Sequence, residues 1–99
     1  MQLSQAQKKQ FRTIGHGLKP VVTIAEDGLS EPVMAELQRA LEDHELIKVR
    51  ISTGRDKLKA LLESITTDCK CECIQRVGKV ALLFRAAKEP KKNLSNIPR

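Results

Sequence analysis

Lys48 and Arg50 alternate within Leu46-Ile47-Lys48-Val49-Arg50-Ile51. On a strand that spacing puts both cations on one face and Ile47, Val49 and Ile51 on the other. A pair of cations on a flat surface suits phosphate oxygens, which accept strong charge-assisted hydrogen bonds. The same chemistry recurs elsewhere. Residues 1–25 hold Lys8, Lys9, Arg12 and Lys19 and no acid. Lys79 sits in a Gly78-Lys79 turn, and Arg85 closes the last apolar run. Cations without acidic neighbours fit contacts that position a nucleic acid without reading its sequence. The competing reading is an ordinary solvated charged face.

A second constellation is the turn Ala25-Glu26-Asp27-Gly28, just before a helix. Main-chain N–H groups and the helix dipole favour an anion at such a point, which makes Gly28 a candidate contact. Glu26, Asp27 and Glu31 put negative charge where phosphate would sit, and Asp27 and Glu31 equally suit a helix start as caps.

Other chemistries find less support. Cys69, Cys71 and Cys73 alternate and would share a face if a strand reached back to Cys69. They lack the paired Cys-x-x-Cys knuckles of zinc sites, so buried small hydrophobes or edge thiols fit them better. His16 and His44 lie in no nucleophile or metal motif, and His44, at a helix-to-strand junction, reads as structural. Phosphate-loop, dinucleotide and triad patterns are lacking. The expectation is a protein that is not an enzyme, with no metal and no cofactor.

The elements that carry these groups read α-β-α-β-α-β-β. Ser4-Gln5-Ala6-Gln7 predicts a capping box for the first helix, which Gly15 and Gly17 would end. Val21–Ile24 predicts a buried strand. Ser30 and Pro32 suit the start of a second helix, along which Val33, Leu37, Ala40 and Leu41 form one stripe. His44–Ile51 predicts the next strand. Leu58, Leu61, Leu62 and Ile65 predict a third helix. Cys71–Val77 and Val80–Arg85 predict a hairpin across Gly78-Lys79. The last run is apolar on both faces (Val80, Leu82 and Phe84 against Ala81 and Leu83), as a central strand would be, with the first helix covering part of one face.

Ninety-nine residues make one domain, taken as residues 1–86, with 87–99 a basic tail expected to be flexible when free. Phe11 and Phe84 are the only aromatics, so the core must be aliphatic and recognition by base stacking is disfavoured. Net charge is +6, unevenly spread. Residues 26–45 carry seven acids against Arg39 alone, and residues 46–99 carry thirteen cations against five acids. Such asymmetry suggests a polyanionic partner on one surface. No apolar run approaches membrane-spanning length and no signal segment opens the chain. Three cysteines fit a reducing compartment. A cytoplasmic, monomeric protein with no membrane partner is expected.

Over residues 3–85 the sequence resembles the CRM domain of the bacterial YhbY family of ribosome-associated RNA-binding proteins. The likeness rests on Leu18-Lys19-Pro20, Gly28-Leu29, His44-Glu45-Leu46-Ile47-Lys48 and Val77-Gly78-Lys79. It implies a single α/β (α+β) domain, a four-stranded mixed sheet packed by helices, similar to the C-terminal domain of translation initiation factor three. It also implies a G-x-x-G turn near the RNA backbone, where this chain has Ala25 in place of the first glycine. The implied partner is ribosomal RNA in precursors of the large ribosomal subunit, and the implied role is ribosome assembly. The candidate RNA contacts are Lys8, Lys9, Arg12, Lys19, Gly28, Lys48, Arg50, Lys79 and Arg85. The alternative is a protein-interaction module whose acidic second helix, with Glu36, Glu42 and Asp43, docks a basic ribosomal protein.

Overall fold

Ser4 starts the first helix through a reciprocal pair of bonds. Its Oγ accepts from Gln7 N–H at 3.1 Å, and its own N–H donates to Gln7 Oε1 at 2.8 Å. The computed structural model describes residues 3–25 and 28–98. Its elements are α1 (Gln5–Gly15), β1 (Pro20–Ile24), α2 (Glu31–His44), β2 (Leu46–Ile51), α3 (Arg55–Asp68), β3 (Glu72–Val77) and β4 (Val80–Phe84). The strands form one sheet in the order β1-β2-β4-β3. β1 runs parallel to β2, and β4 runs antiparallel to both its neighbours. The expected mixed sheet with the last strand inside it is therefore the observed one.

Two apolar layers lie on the two faces. Ile24, Ile47, Val49, Ile51, Ala81 and Leu83 meet Leu37 and Leu41 of α2 and Leu58 and Ile65 of α3. On the other face Leu46 and Leu82 meet Phe11 of α1, with Ile14, Ile74 and Phe84 beside them. Each fully buried side chain of this size contributes roughly 1.5–3 kcal/mol, so the larger α2/α3 layer supplies most of the stabilisation. One helix covers the second face where two cover the first. The far half of that second face stays open.

Gly15 sets how closely α1 approaches. A Cβ there would lie 2.7 Å from Leu82 Cδ2, so the helix rests on the sheet through bare backbone. The helix end itself needs no glycine, because His16 caps it in a right-handed conformation. Gly15 is thus a packing residue rather than the terminator its sequence position suggests. Gly28 and Gly78, at φ of 76° and 59°, are the glycines whose conformation a side chain would disfavour.

Two boundaries differ from the sequence reading. β2 begins at Leu46, because Glu45 ends α2 at a φ of 63° and its N–H still donates to Leu41 O. β3 begins at Glu72, because Cys69 caps α3 and Lys70 turns the chain at a φ of 53°. β3 also carries a bulge: Cys73 pairs with Leu83 but Gln75 pairs with Leu82, so Ile74 is the extra residue. Beyond the bulge Gln75 and Val77 share the α1 side with their partners Leu82 and Val80, and Arg76 turns to the α3 side opposite Ala81.

The tail makes contacts of its own with the domain. Glu45 is fully buried, and its carboxylate accepts from Ala87 N–H at 3.0 Å and Ser95 Oγ at 2.7 Å. Asn96 donates to His44 O and to Leu46 O. Ile97 joins the Phe11 layer. Residues 87–98 are thus drawn back onto the α2–β2 junction, through bonds that composition alone does not reveal.

Candidate nucleic-acid interface

The register across the sheet assembles the open half of the α1-side face. Pro20, Lys48, Leu82 and Gln75 form one row, and Thr23, Arg50, Val80 and Val77 the next. Lys48 and Arg50 stand in the middle of this platform. His16, at the end of α1, overhangs it and completes a groove with Pro20, Lys48, Arg50, Gln75, Val77 and Val80. Among the described residues neither Lys48 nor Arg50 makes an ion pair. Their charge is therefore presented outward, between apolar neighbours that raise its effect at short range.

The other sequence candidates separate into those that join this platform and those that do not. Lys19 lines a shallow depression together with Lys48, on the β1 side of the platform. Lys8, Lys9 and Arg12 lie on α1; Lys9 is exposed, and Lys8 and Arg12 are half-buried. Lys9 and His16 are two turns apart on one flank of α1, which leads toward the groove.

Gly28 lies elsewhere, on the α3 side, where a Cβ would meet Leu61 at 3.6 Å. Its N–H already donates to Ala25 O at 2.9 Å, and its carbonyl accepts from Ser30 N–H. The main-chain donor that a phosphate would need is thus engaged within the turn. Glu26 and Asp27 lie outside the described residues. Lys79, in the β3–β4 turn, faces α3 rather than the platform.

Arg85 is a structural residue. Its guanidinium donates to Gln38 Oε1, to Cys69 O at 3.0 Å and to Gln38 O at 3.2 Å, and it pairs with Glu42 at 3.6 Å. It clamps the end of β4 to α2 and to the C-terminus of α3. Glu42 is thereby partly neutralised, and Asp43 pairs with Lys91, which holds the Asp43 carboxyl below the usual carboxylate range. Two of the three acids that suggested a protein-docking helix already have partners within the chain.

The cysteines behave as small apolar residues. All three pack on the α2/α3 layer, with Cys69 fully buried. Burial pushes the Cys71 thiol up to about 12 and raises Cys69 and Cys73 as well, which keeps them protonated at neutral pH. His44 Nδ1 hydrogen-bonds to Leu94 O at 2.8 Å, a tail contact. Among the described residues no group of three or more His, Cys, Asp or Glu side chains gathers to hold a metal. No helix among them is long and apolar enough to cross a membrane.

Sequence reasoning missed His16 and Gln75, which line the platform, and Arg55, Lys59 and Arg76, which lie on the α3 side. Arg55 and Lys59 could have been found from their four-residue spacing. Gln75 and Arg76 could not, because the bulge reverses the faces that simple alternation assigns to them.

This arrangement of three helices on a β1-β2-β4-β3 sheet has known counterparts. The family model for the CRS1/YhbY (CRM) domain matches residues 3–85. The chain belongs to the CRM domain family. A Pseudomonas aeruginosa protein named as a probable RNA-binding protein is 53% identical, over 100% of this chain and 96% of its own length. An RNA-binding protein of Haemophilus influenzae is 36% identical over 90% of this chain and 91% of its own. The solution structure of a Staphylococcus aureus protein, described as a candidate RNA binder, superposes with a TM-score of 0.76. It is 29% identical and covers 92% of this chain and 96% of that one. The CRM assignment thus agrees with the fold reached from the residues upward.

Proposed function

We propose that this protein binds structured RNA through the open, α1-side face of its sheet. The observation that carries the reading is the platform itself, where Lys48 and Arg50, without ion-pair partners among the described residues, stand beside His16 and Lys19. The acids of α2 are on the opposite side of the sheet, and among the described residues no acid lines the platform groove or the depression beside it, which leaves that surface free for a polyanion. The names of the CRM relatives support RNA as that polyanion. The finer reading is ribosomal RNA in a precursor of the large subunit, bound in the cytoplasm by a monomer that assists assembly. Binding rather than catalysis is the proposed role, since the surface offers cations and amides but no nucleophile paired with a base.

Fluorescence anisotropy with a labelled RNA stem–loop tests the RNA step. Each phosphate contact contributes about 0.7–0.9 to the slope of log affinity against log salt. Replacing Lys48 and Arg50 together with glutamine should lower that slope by about 1.5 and weaken binding roughly tenfold at physiological salt. The circular dichroism spectrum should be unchanged, because neither head group is part of a core layer. Native binding that does not respond to salt would refute the reading. Crosslinking and sequencing of bound RNA then tests the ribosomal step, for which reads should concentrate in large-subunit ribosomal RNA. Partners that persist after ribonuclease treatment of a pull-down would instead favour docking of a basic protein on α2.

A further inference from the structure

The α3 side of the sheet carries a second cationic groove, separate from the platform. Arg55 and Lys59, one turn apart on α3, face Arg76 of β3 and Lys79 of the hairpin turn across a floor of Leu58 and Leu62. Four cations line it, and among the described residues no acid does. Among the described residues none of the four is in an ion pair. Like charges collected without counter-charges repel one another, and a bound polyanion relieves that repulsion.

Two features make this more than a scatter of surface lysines. Arg76 Nη1 donates to Gly78 O at 2.7 Å, which holds the guanidinium against the hairpin tip while its other N–H groups stay available. Arg76 reaches this side only because of the bulge at Ile74, a distortion of the kind that re-aims side chains. The hairpin tip is also a shared wall. Gly78 and Lys79 line this groove, while Val77 and Val80 line the platform.

We infer that the α3–hairpin groove binds the phosphodiester backbone of the same RNA, as a second track across the β3–β4 turn. The inference rests on the RNA-binding reading of the platform. An RNA that crosses the tip passes from Arg50 to Lys79 and then onto Arg76, Lys59 and Arg55. The apolar floor suits the carbon faces of ribose between phosphates. Two tracks on either side of one thin hairpin fit a folded RNA, whose strands present phosphates in two directions.

The test uses the full chain and the same labelled stem–loop. Arg55→Gln with Lys59→Gln should lower the salt slope by about 1.5 and weaken binding roughly tenfold. Combining it with the Lys48 and Arg50 pair should lower the slope further. If the native protein fails to bind RNA, the platform reading and this inference both fall. If native binding depends on Lys48 and Arg50 but is indifferent to Arg55 and Lys59, only the second track is overturned. Chemical-shift mapping on the native protein guards against a variant that misfolds. The amides of Lys59, Leu62, Gly78 and Lys79 should move on adding the stem–loop. Shifts confined to the platform, or shifts in the groove with a poly-glutamate peptide but not with RNA, would overturn the inference.

Discussion

Glu45 is the residue on which local strain and tail docking converge. A non-glycine residue at a φ of 63° is disfavoured by roughly 1–3 kcal/mol and persists only where its surroundings over-determine it. Here a buried carboxylate accepts from Ala87 N–H and Ser95 Oγ, and the Glu45 carbonyl accepts from Arg85 N–H at 2.9 Å. Replacing Glu45 with alanine keeps the backbone strain and leaves those donors unsatisfied. It should destabilise the protein by about 2–4 kcal/mol, read as a lower urea midpoint with little change in slope. Glu45→Gly loses the same bonds but relieves the strain, so it should be no more destabilising than alanine. A glycine variant markedly worse than alanine would mean that the backbone is unstrained. None of this was legible in the sequence. A carboxylate next to a histidine reads as a junction, and its partners lie 42 and 50 residues further along the chain.

At the scale of elements, sequence periodicity carried far. The three helices, the four strands and the inner position of β4 all follow from apolar spacing, because each element must bury a face. What failed were features set by one element pressing on another. Gly15 and Gly17 look alike as helix-ending residues, yet only Gly15 lies against Leu82. Alanine at 15 would gain roughly 1 kcal/mol of helix propensity and lose more by forcing Leu82 out of its packed position. A net loss of about 1–2 kcal/mol is expected on thermal unfolding. Alanine at 17 meets nothing closer than Ile14 O at 3.7 Å, so it should be neutral or stabilising by up to about 1 kcal/mol. Equal effects at the two positions would contradict the close approach of α1. The β3 bulge belongs to the same class, since register depends on the partner strand and no local pattern announces it.

Over the whole molecule, the tail decides how far the domain extends. The CRM match ends at residue 85, and the composition of residues 87–99 suggests a flexible basic extension. In the structure the tail covers the α2–β2 junction. Ala87 and Ser95 reach the Glu45 carboxylate, Asn96 bridges His44 O and Leu46 O, and Ile97 fills the edge of the Phe11 layer. Lys91 pairs with Asp43, but an exposed pair of this kind adds little. The buried bonds are worth roughly 1 kcal/mol each, so deleting residues 87–99 should cost about 3–5 kcal/mol. For a domain of this size that is a fall in Tm on the order of 10–30 °C. An independent tail would leave Tm unchanged. The Lys91 pair gives a second check: Asp43→Asn should leave Tm nearly as it is, whereas Asn96→Ala, which removes the side-chain amide that donates to Leu46 O, should lower it. If the truncation and Asn96→Ala are both silent, the tail is an appendage and Glu45 is satisfied without it.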